Sequence, residues 1–261
     1  MQQAGLFTEQ RGGVLWLIID RPQQRNAMNE EVLAGLSQAL DGAAKDASVR
    51  SIVLTGAGDK AFCSGADLSQ GGKGFHQGVE SPTTSFGRLA RLARHCPKPL
   101  VARINGDCLA GGMGLLALCD VALAADHARF GLPEARLGLF PMQVTVWLRH
   151  LIAPRHLRYL ALTGAMISAA QACDMGLLNS ITSLDKLDDA VMMLCAQLGT
   201  ASPQALERGK FALNAMEDMN FEAAMAFAEA QITLVAQSAD AREGFAAFTA
   251  RRTPSWTHSD N

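Results

Sequence analysis

Val14-Leu15-Trp16-Leu17-Ile18-Ile19-Asp20 and Ser51-Ile52-Val53-Leu54-Thr55 are the two stretches on which the fold class turns. Both are short apolar runs rich in β-branched residues, the pattern of buried strands. Between them, Glu30 to Leu40 carries Val32, Leu33, Leu36, Ala39 and Leu40, a spacing that gathers apolar side chains on one face of a helix. The unit is strand, helix, strand. Further along, Leu100 to Ile104 and Asp120 to Ala124 repeat it, separated by a Gly/Ala/Leu segment that predicts a tightly packed helix. The repetition predicts an α/β domain of buried parallel strands joined by right-handed crossovers.

After about Gln143 the pattern predicts helices: Val144 to Ile152, Pro154 to Thr163, Ser168 to Met175, Leu187 to Leu198, Pro203 to Met216, Phe221 to Ser238 and Ala241 to Arg251. Ser168 reads as an N-cap, Ser202-Pro203 places proline at a first helical position, and Asn220 precedes Phe221-Glu222. Leu178 to Thr182 is the one extended segment expected in this half. Ser69 to Ser85 is Gly-rich and weakly apolar, the material of a plain surface connection and equally of a lid over a site.

Composition narrows the classes of function. The 261 residues are 49% apolar and carry a net charge of −2, enough for one large domain or a domain with an appendage. With 23 basic against 25 acidic residues, nothing calls for nucleic acid or an anionic membrane as partner. The start, Met1-Gln2-Gln3-Ala4-Gly5-Leu6, has neither a secretion signal's apolar run nor an Arg/Ser-rich presequence, and Leu115 to Ala125 is broken by Asp120 and too short to span a bilayer. The six cysteines show no C-x-x-C spacing and are expected as reduced core residues of a cytoplasmic protein.

The six histidines lack H-x-x-x-H and H-E-x-x-H spacing, so no metal site is expected. Ser64-Gly65 lacks the G-x-S-x-G elbow of a hydrolase. Gly112-Met113-Gly114-Leu115-Leu116-Ala117 imitates a dinucleotide turn, but seven residues from Asn105 to Gly111 separate it from its strand. Gly71-Gly72-Lys73-Gly74 has the wrong order for a P-loop.

Two segments place small residues between a strand end and a helix or loop: Phe62-Cys63-Ser64-Gly65-Ala66-Asp67-Leu68 and Asn105-Gly106-Asp107-Cys108-Leu109-Ala110-Gly111-Gly112. Small side chains allow close backbone approach, and the first N–H groups of a helix have no intrahelical acceptor, so two such turns suit a developing negative charge. In Phe130-Gly131-Leu132-Pro133-Glu134-Ala135-Arg136-Leu137-Gly138-Leu139-Phe140-Pro141 a single carboxylate sits among apolar residues, where desolvation raises its pKa towards acid/base use. Taken alone, Glu134 can equally cap a helix or pair with a base.

These segments, in this order, resemble the crotonase superfamily of enoyl-CoA hydratases and isomerases. The resemblance spans nearly the whole chain. It also takes in Arg21-Pro22-Gln23-Gln24-Arg25-Asn26-Ala27-Met28, Leu118-Cys119-Asp120 and Glu243-Gly244-Phe245-Ala246-Ala247-Phe248. It implies a spiral of ββα units over residues 1–195 and a C-terminal helical trimerisation region over 196–261, assembled as a trimer or a dimer of trimers. It further implies that Ala66 and Gly111 donate N–H bonds to a thioester oxygen, each worth about 3–4 kcal/mol to an enolate, and that Glu134 is the catalytic acid/base. Arg25, Ala27, Ala66, Asp67, Leu68, Phe248 and Arg251 match places that hold coenzyme A, a cation at Arg251 suiting a phosphate or the adenine edge. No cofactor beyond the coenzyme A moiety of an acyl-CoA substrate is implied.

The chain departs from the family's pattern at one position. Well-studied hydratases of the family carry a second glutamate three residues after the oxyanion glycine, and Gly114 stands there. Asp67 matches a turn residue of the family and is expected to be structural, whereas Asp107 is a candidate for substrate contact. Met142 follows Pro141 where many relatives have glycine, and either reshapes the acyl pocket or fills a gap in the core. The resemblance implies an enoyl-CoA hydratase first. A Δ3,Δ2-enoyl-CoA isomerase, which needs one glutamate, is the alternative, and a non-catalytic acyl-CoA-binding scaffold comes third.

Overall fold

Val14–Ile19 (β3) and Ser51–Gly56 (β4) are neighbouring parallel strands in the computed structural model, which describes residues 2–3, 5–69 and 83–257. The helix between them, α1, runs Glu30–Lys45 and starts on Asn29, whose side chain accepts from the Val32 N–H. It continues past the expected end at Leu40 because Ala43 is still buried and Lys45 pairs with Asp41 one turn back at 2.6 Å.

Beyond β4 the chain repeats one unit. A strand joins a large sheet, the next strand joins a small one, and a helix or helical turn leads back. The pairs are β4 with Ala61–Cys63 (β5), Leu100–Ile104 (β6) with Asp107–Leu109 (β7), and Val121–Ala125 (β8) with Arg129–Gly131 (β9). The returns are Ser85–His95 (α2), Gly111–Ala117 (α3) and a 3-10 turn over Pro133–Leu137. With Gln2–Gln3 (β1), Leu6–Arg11 (β2) and Ser180–Thr182 (β11), the large sheet is ordered β1-β2-β3-β4-β6-β8-β11. From β3 onward its pairings are parallel. Met166–Ser168 (β10) edges the small sheet, ordered β10-β9-β7-β5. This is the ββα spiral that the resemblance implies.

Over β3, β4, β6 and β8 both faces of the large sheet are covered, which is why those strands read as largely apolar runs. Leu17, Ile19, Ile52, Leu54, Leu100 and Ala102 point into the main core with α1, α2 and α3. Their sequence neighbours Val14, Trp16, Val53, Val101 and Leu123 point the other way, against Leu187, Val191 and Cys195 of Leu184–Gly199 (α7). The division expected at residue 195 therefore falls inside a helix that packs on the sheet. The later helices are Pro203–Met216 (α8), Phe221–Ala236 (α9) and Ala239–Thr249 (α10).

Before α7 lie Met142–Leu151 (α4), Pro154–Thr163 (α5) and Ala169–Asp174 (α6), the last begun by Ser168 in a capping box with Gln171. The expectation of a single extended segment in this half is corrected. Besides β11, the three residues of β10 pair antiparallel with β9, too short a run to leave a period in the sequence. Most of the Gly-rich loop, residues 70–82, lies outside the described residues. Its last two positions belong to α2, because the Thr84 hydroxyl caps the Gly87 N–H. No helix among the described residues is long and apolar enough to cross a membrane.

Candidate active site

The small sheet positions the site. Its strands β5, β7 and β9 are mutually parallel, with Cys63 opposite Cys108 and Leu109 opposite Gly131. Their carboxyl ends therefore lie side by side, the edge at which parallel sheets offer residues to ligands. Ala66 follows the end of β5 by three residues, Gly111 that of β7 by two, and Glu134 that of β9 by three.

The turn carrying Ala66 is tied to the early loop. Met28 N donates to Gly65 O and Asp67 N to Met28 O, each at 2.8 Å, so Met28 and Ala66 form a parallel bridge that leaves the Ala66 N–H unused. Gly111 opens α3, and its N–H precedes the intrahelical ladder. Neither N–H has an acceptor among the described residues. The two amides are close: an ideal Cβ on Gly111 would stand 3.6 Å from Ala66 N, and one on Gly65 would stand 3.2 Å from Gly111 N. Gly65, at φ +106°, supplies a conformation that a side chain would oppose. At Gly112 an added Cβ would run into the Cys63 carbonyl, so the two turns pack backbone on backbone.

Ala110 holds φ 50° and ψ −122°, a left-handed conformation that costs a residue with a Cβ about 1–3 kcal/mol. The surroundings impose it, since Ala110 N is fixed to Gly131 O at 2.9 Å while the next peptide must turn to start α3. The strained peptide is the one that bears the Gly111 N–H.

Glu134 stands in the 3-10 turn begun by Pro133 and closed by Gly138 in the left-handed region. Its Oε2 is buried and has no hydrogen-bond partner among the described residues. Burial pushes the carboxyl pKa up, opposed in part by a hydrogen bond from its own backbone N–H. The buried Oε2 thus keeps an open acceptor position, the arrangement of a carboxyl available for proton exchange.

Two free amides and a raised carboxyl at neighbouring strand ends are groups that enolate chemistry can use. A sequence profile described as enoyl-CoA hydratase/isomerase matches residues 9–259. The chain belongs to that family. YngF of Bacillus subtilis (strain 168) is 31% identical over 248 residues, 95% of each chain. The solved enoyl-CoA hydratase of Mycobacterium smegmatis is 31% identical with a TM-score of 0.89, over 97% of this chain and 98% of that one. Pseudomonas aeruginosa AtuE is 35% identical with a TM-score of 0.89, over 97% and 100%. The fold is thus the one these family members share.

Within this family member, Arg25, Ala27, Ala66, Asp67 and Leu68 come together. Arg25 O accepts from Ser64 N at 3.1 Å, and Arg21 reaches both Ala27 O at 2.6 Å and Asp67 Oδ2 at 2.7 Å. Leu68 and the Arg25 head are exposed. Asp67 is held within its turn: the Ser69 amide and hydroxyl, and then Arg21, hold its pKa down to about 2, and its backbone N–H is spent on Met28 O. Among the described residues, Phe248 and Arg251 make no hydrogen bond to these turns. Phe248 is exposed on α10, which packs on α8 and α9, and neither of those helices carries a residue of the oxyanion turns.

Two expectations are corrected. Asp107 is not free for substrate, because its two oxygens accept from Arg129 Nε and Nη2 at 3.0 and 2.7 Å. Met142 is not a core gap-filler, since it is 68% exposed at the start of α4. Sequence reasoning also gave no part to Asn26 and Asn105, both fully buried, whose amides lock the site loops. Asn26 Nδ2 donates to Ala57 O and Ala61 O, and Asn105 Nδ2 to Gly58 O and Ala61 O. A buried Asn flanking a strand is the available signal, and both lie in the segments that carry the resemblance.

At Gly114 the structure shows what replaces a second carboxylate. An ideal Cβ there would meet Phe86 Cζ at 2.6 Å, Val144 Cγ2 at 3.1 Å and Phe86 Cε2 at 3.3 Å. An aromatic ring from α2 fills the space into which that side chain would project.

Proposed function

We propose that the protein is a Δ3,Δ2-enoyl-CoA isomerase that works with one carboxylate. Glu134 takes a proton from C2 of a 3-enoyl thioester, the electron pair passes to the thioester oxygen held by the Ala66 and Gly111 N–H groups, and the double bond moves into conjugation as the Glu134 carboxyl returns the proton to C4. Atoms balance without water or a co-reactant. The observation that carries this reading is the unpartnered Glu134 Oε2 on a site whose other carboxylate position is taken by Phe86. Two carboxylates hold and activate water in hydration, whereas a 1,3-proton shift needs only one.

Hydration of a 2-enoyl-CoA is the second reading, and one observation favours it. A buried carboxylate oxygen without a partner is also what a bound water would satisfy. Giving the protein 3-enoyl and 2-enoyl thioesters separately, and following the absorbance of the conjugated double bond, separates the two. Isomerisation raises the signal from the 3-enoyl substrate. Loss of the 2-enoyl signal with water uptake at a comparable rate would overturn the isomerase reading in favour of hydration. In either reaction Glu134→Gln is expected to lower kcat by at least about 10²-fold, the scale of a positioned acid/base group.

The coenzyme A moiety is taken to lie along Arg25, Ala27 and Leu68, with Phe248 and Arg251 supplied by a neighbouring copy in a trimer or dimer of trimers. Support comes from α8 and α9, 14 and 16 residues long, in which no residue is buried. Leu213, Phe221, Ile232 and, on α10, Phe245 are each more than half exposed. So much apolar surface on one region marks an assembly face.

A further inference from the structure

We propose that Phe86 determines acyl specificity by walling the pocket at the C3 position and rejecting chains branched there. This rests on the reading of Ala66 and Gly111 as the thioester cradle. Gly114 follows Gly111 by three residues in α3, so the two share one side of that helix. In the proposal, a thioester oxygen at the Gly111 N–H has the first carbons of its acyl chain running along that side, towards Gly114. At that point the Phe86 edge and the Val144 methyl press on bare backbone, so the substrate meets an aromatic wall where a smaller side chain would leave space.

The ring is held in place. The Thr84 hydroxyl takes the Gly87 N–H at 2.8 Å and the Gln143 amide at 2.6 Å, which ties the first turn of α2 to the first turn of α4 beside Val144. The Ser85 hydroxyl donates to Glu30 at the start of α1, and Leu89, Ala90 and Ala93 bury the rest of α2 in the main core. Phe86 thus sits on a turn fixed on two sides, and swinging it away from Gly114 to admit a methyl branch would leave the pocket wall unpacked. A pocket of this kind discriminates one methyl group by about 10- to 200-fold.

The test is a binding measurement that needs no turnover. In the Glu134→Gln background, dissociation constants for 2-butenoyl-CoA, 3-methyl-2-butenoyl-CoA and free CoA are measured by calorimetry, with Phe86 intact, F86A and F86L. The expected result is at least about tenfold tighter binding of the unbranched thioester with Phe86 present. That ratio should fall to within about threefold in F86A and to an intermediate value in F86L, with free CoA unchanged and thermal melts confirming the fold. A ratio unmoved in F86L, or no discrimination with Phe86 present, overturns the proposal even if F86A fails to fold. Because the readout is binding, it stands apart from the isomerase reading: absent isomerisation with a Phe86-dependent ratio would sink that reading alone.

Discussion

Gly65→Ala is the substitution that most directly probes the geometry of the paired amides. The new methyl would stand 2.8 Å from Ala110 Cβ, 3.2 Å from Gly111 N and 3.5 Å from Leu109 O. The first of these is closer than two methyl carbons can approach, so the Ala110–Gly111 peptide must shift or the Ala66 turn must retreat. Either movement separates the two N–H groups, and loss of one oxyanion donor costs about 2.7–4 kcal/mol, or about 10²–10³ in kcat. A smaller loss of stability, about 1–2 kcal/mol, accompanies it because φ +106° disfavours a Cβ. The assay is kcat on a CoA thioester beside a calorimetric Kd for free CoA and a thermal melt. The coenzyme contacts assigned to Arg25 and Ala27 lie on the loop bonded to this turn and that of Leu68 on the turn itself, so a modest loss of CoA affinity is expected beside a much larger fall in kcat. If Gly65→Ala folds and keeps kcat within about threefold of the parent, the two N–H groups do not act as a pair and the reasoning fails.

Two further predictions concern pH. Burial raises the Glu134 pKa above its ordinary 4.5, so the folded state holds that proton more tightly than the unfolded chain, and stability falls as pH rises through this window. Glu134→Gln removes the titration and is expected to gain melting temperature relative to the parent above pH 4.5, with the difference vanishing below it; a difference that does not change with pH would contradict the burial argument. Asp67 has the opposite sign. With its pKa held down from 3.8 to about 2, its contribution is present above the ordinary value and lost as pH falls towards 2, so the melting gap between the parent and Asp67→Asn should be wide at pH 6 and close below pH 4. A gap that persists in acid would mean that Asp67 acts through shape alone.

The parallel core was legible because strands covered on both faces carry apolar residues at every position. Ser51–Gly56, buried throughout, could hardly read as anything else. The small sheet was hard to read for the converse reason. Its strands are three residues each, and β7 contains Asp107, so no period of two can accumulate and the strands show only as turns. The candidate donors were still legible there, because a backbone donor's needs leave a composition: small residues at Gly65, Ala66, Ala110, Gly111 and Gly112. The strain at Ala110 left no such mark, as alanine is not a residue that announces a left-handed conformation. Phe86 was invisible in a different way. It lies 28 positions before Gly114, at the edge of a Gly-rich stretch, and only the third dimension sets the ring on the glycine.

That contact changes what an absent residue means. Read in sequence, Gly114 is a deletion of function, a carboxylate missing from a two-carboxylate site. In the structure the same glycine is half of a packed pair, and a carboxylate restored there alone would collide with the ring. The two halves of the site are therefore specified by different physics. The electrophilic half follows from strand order, since three parallel strands that end together must deliver their next residues to one place. The half proposed to face C3 rests on side-chain packing of Phe86 and Val144 against Gly114, which strand order does not constrain. The backbone turns can then stay as they are while the packing on Gly114 changes, because the two are set by different contacts.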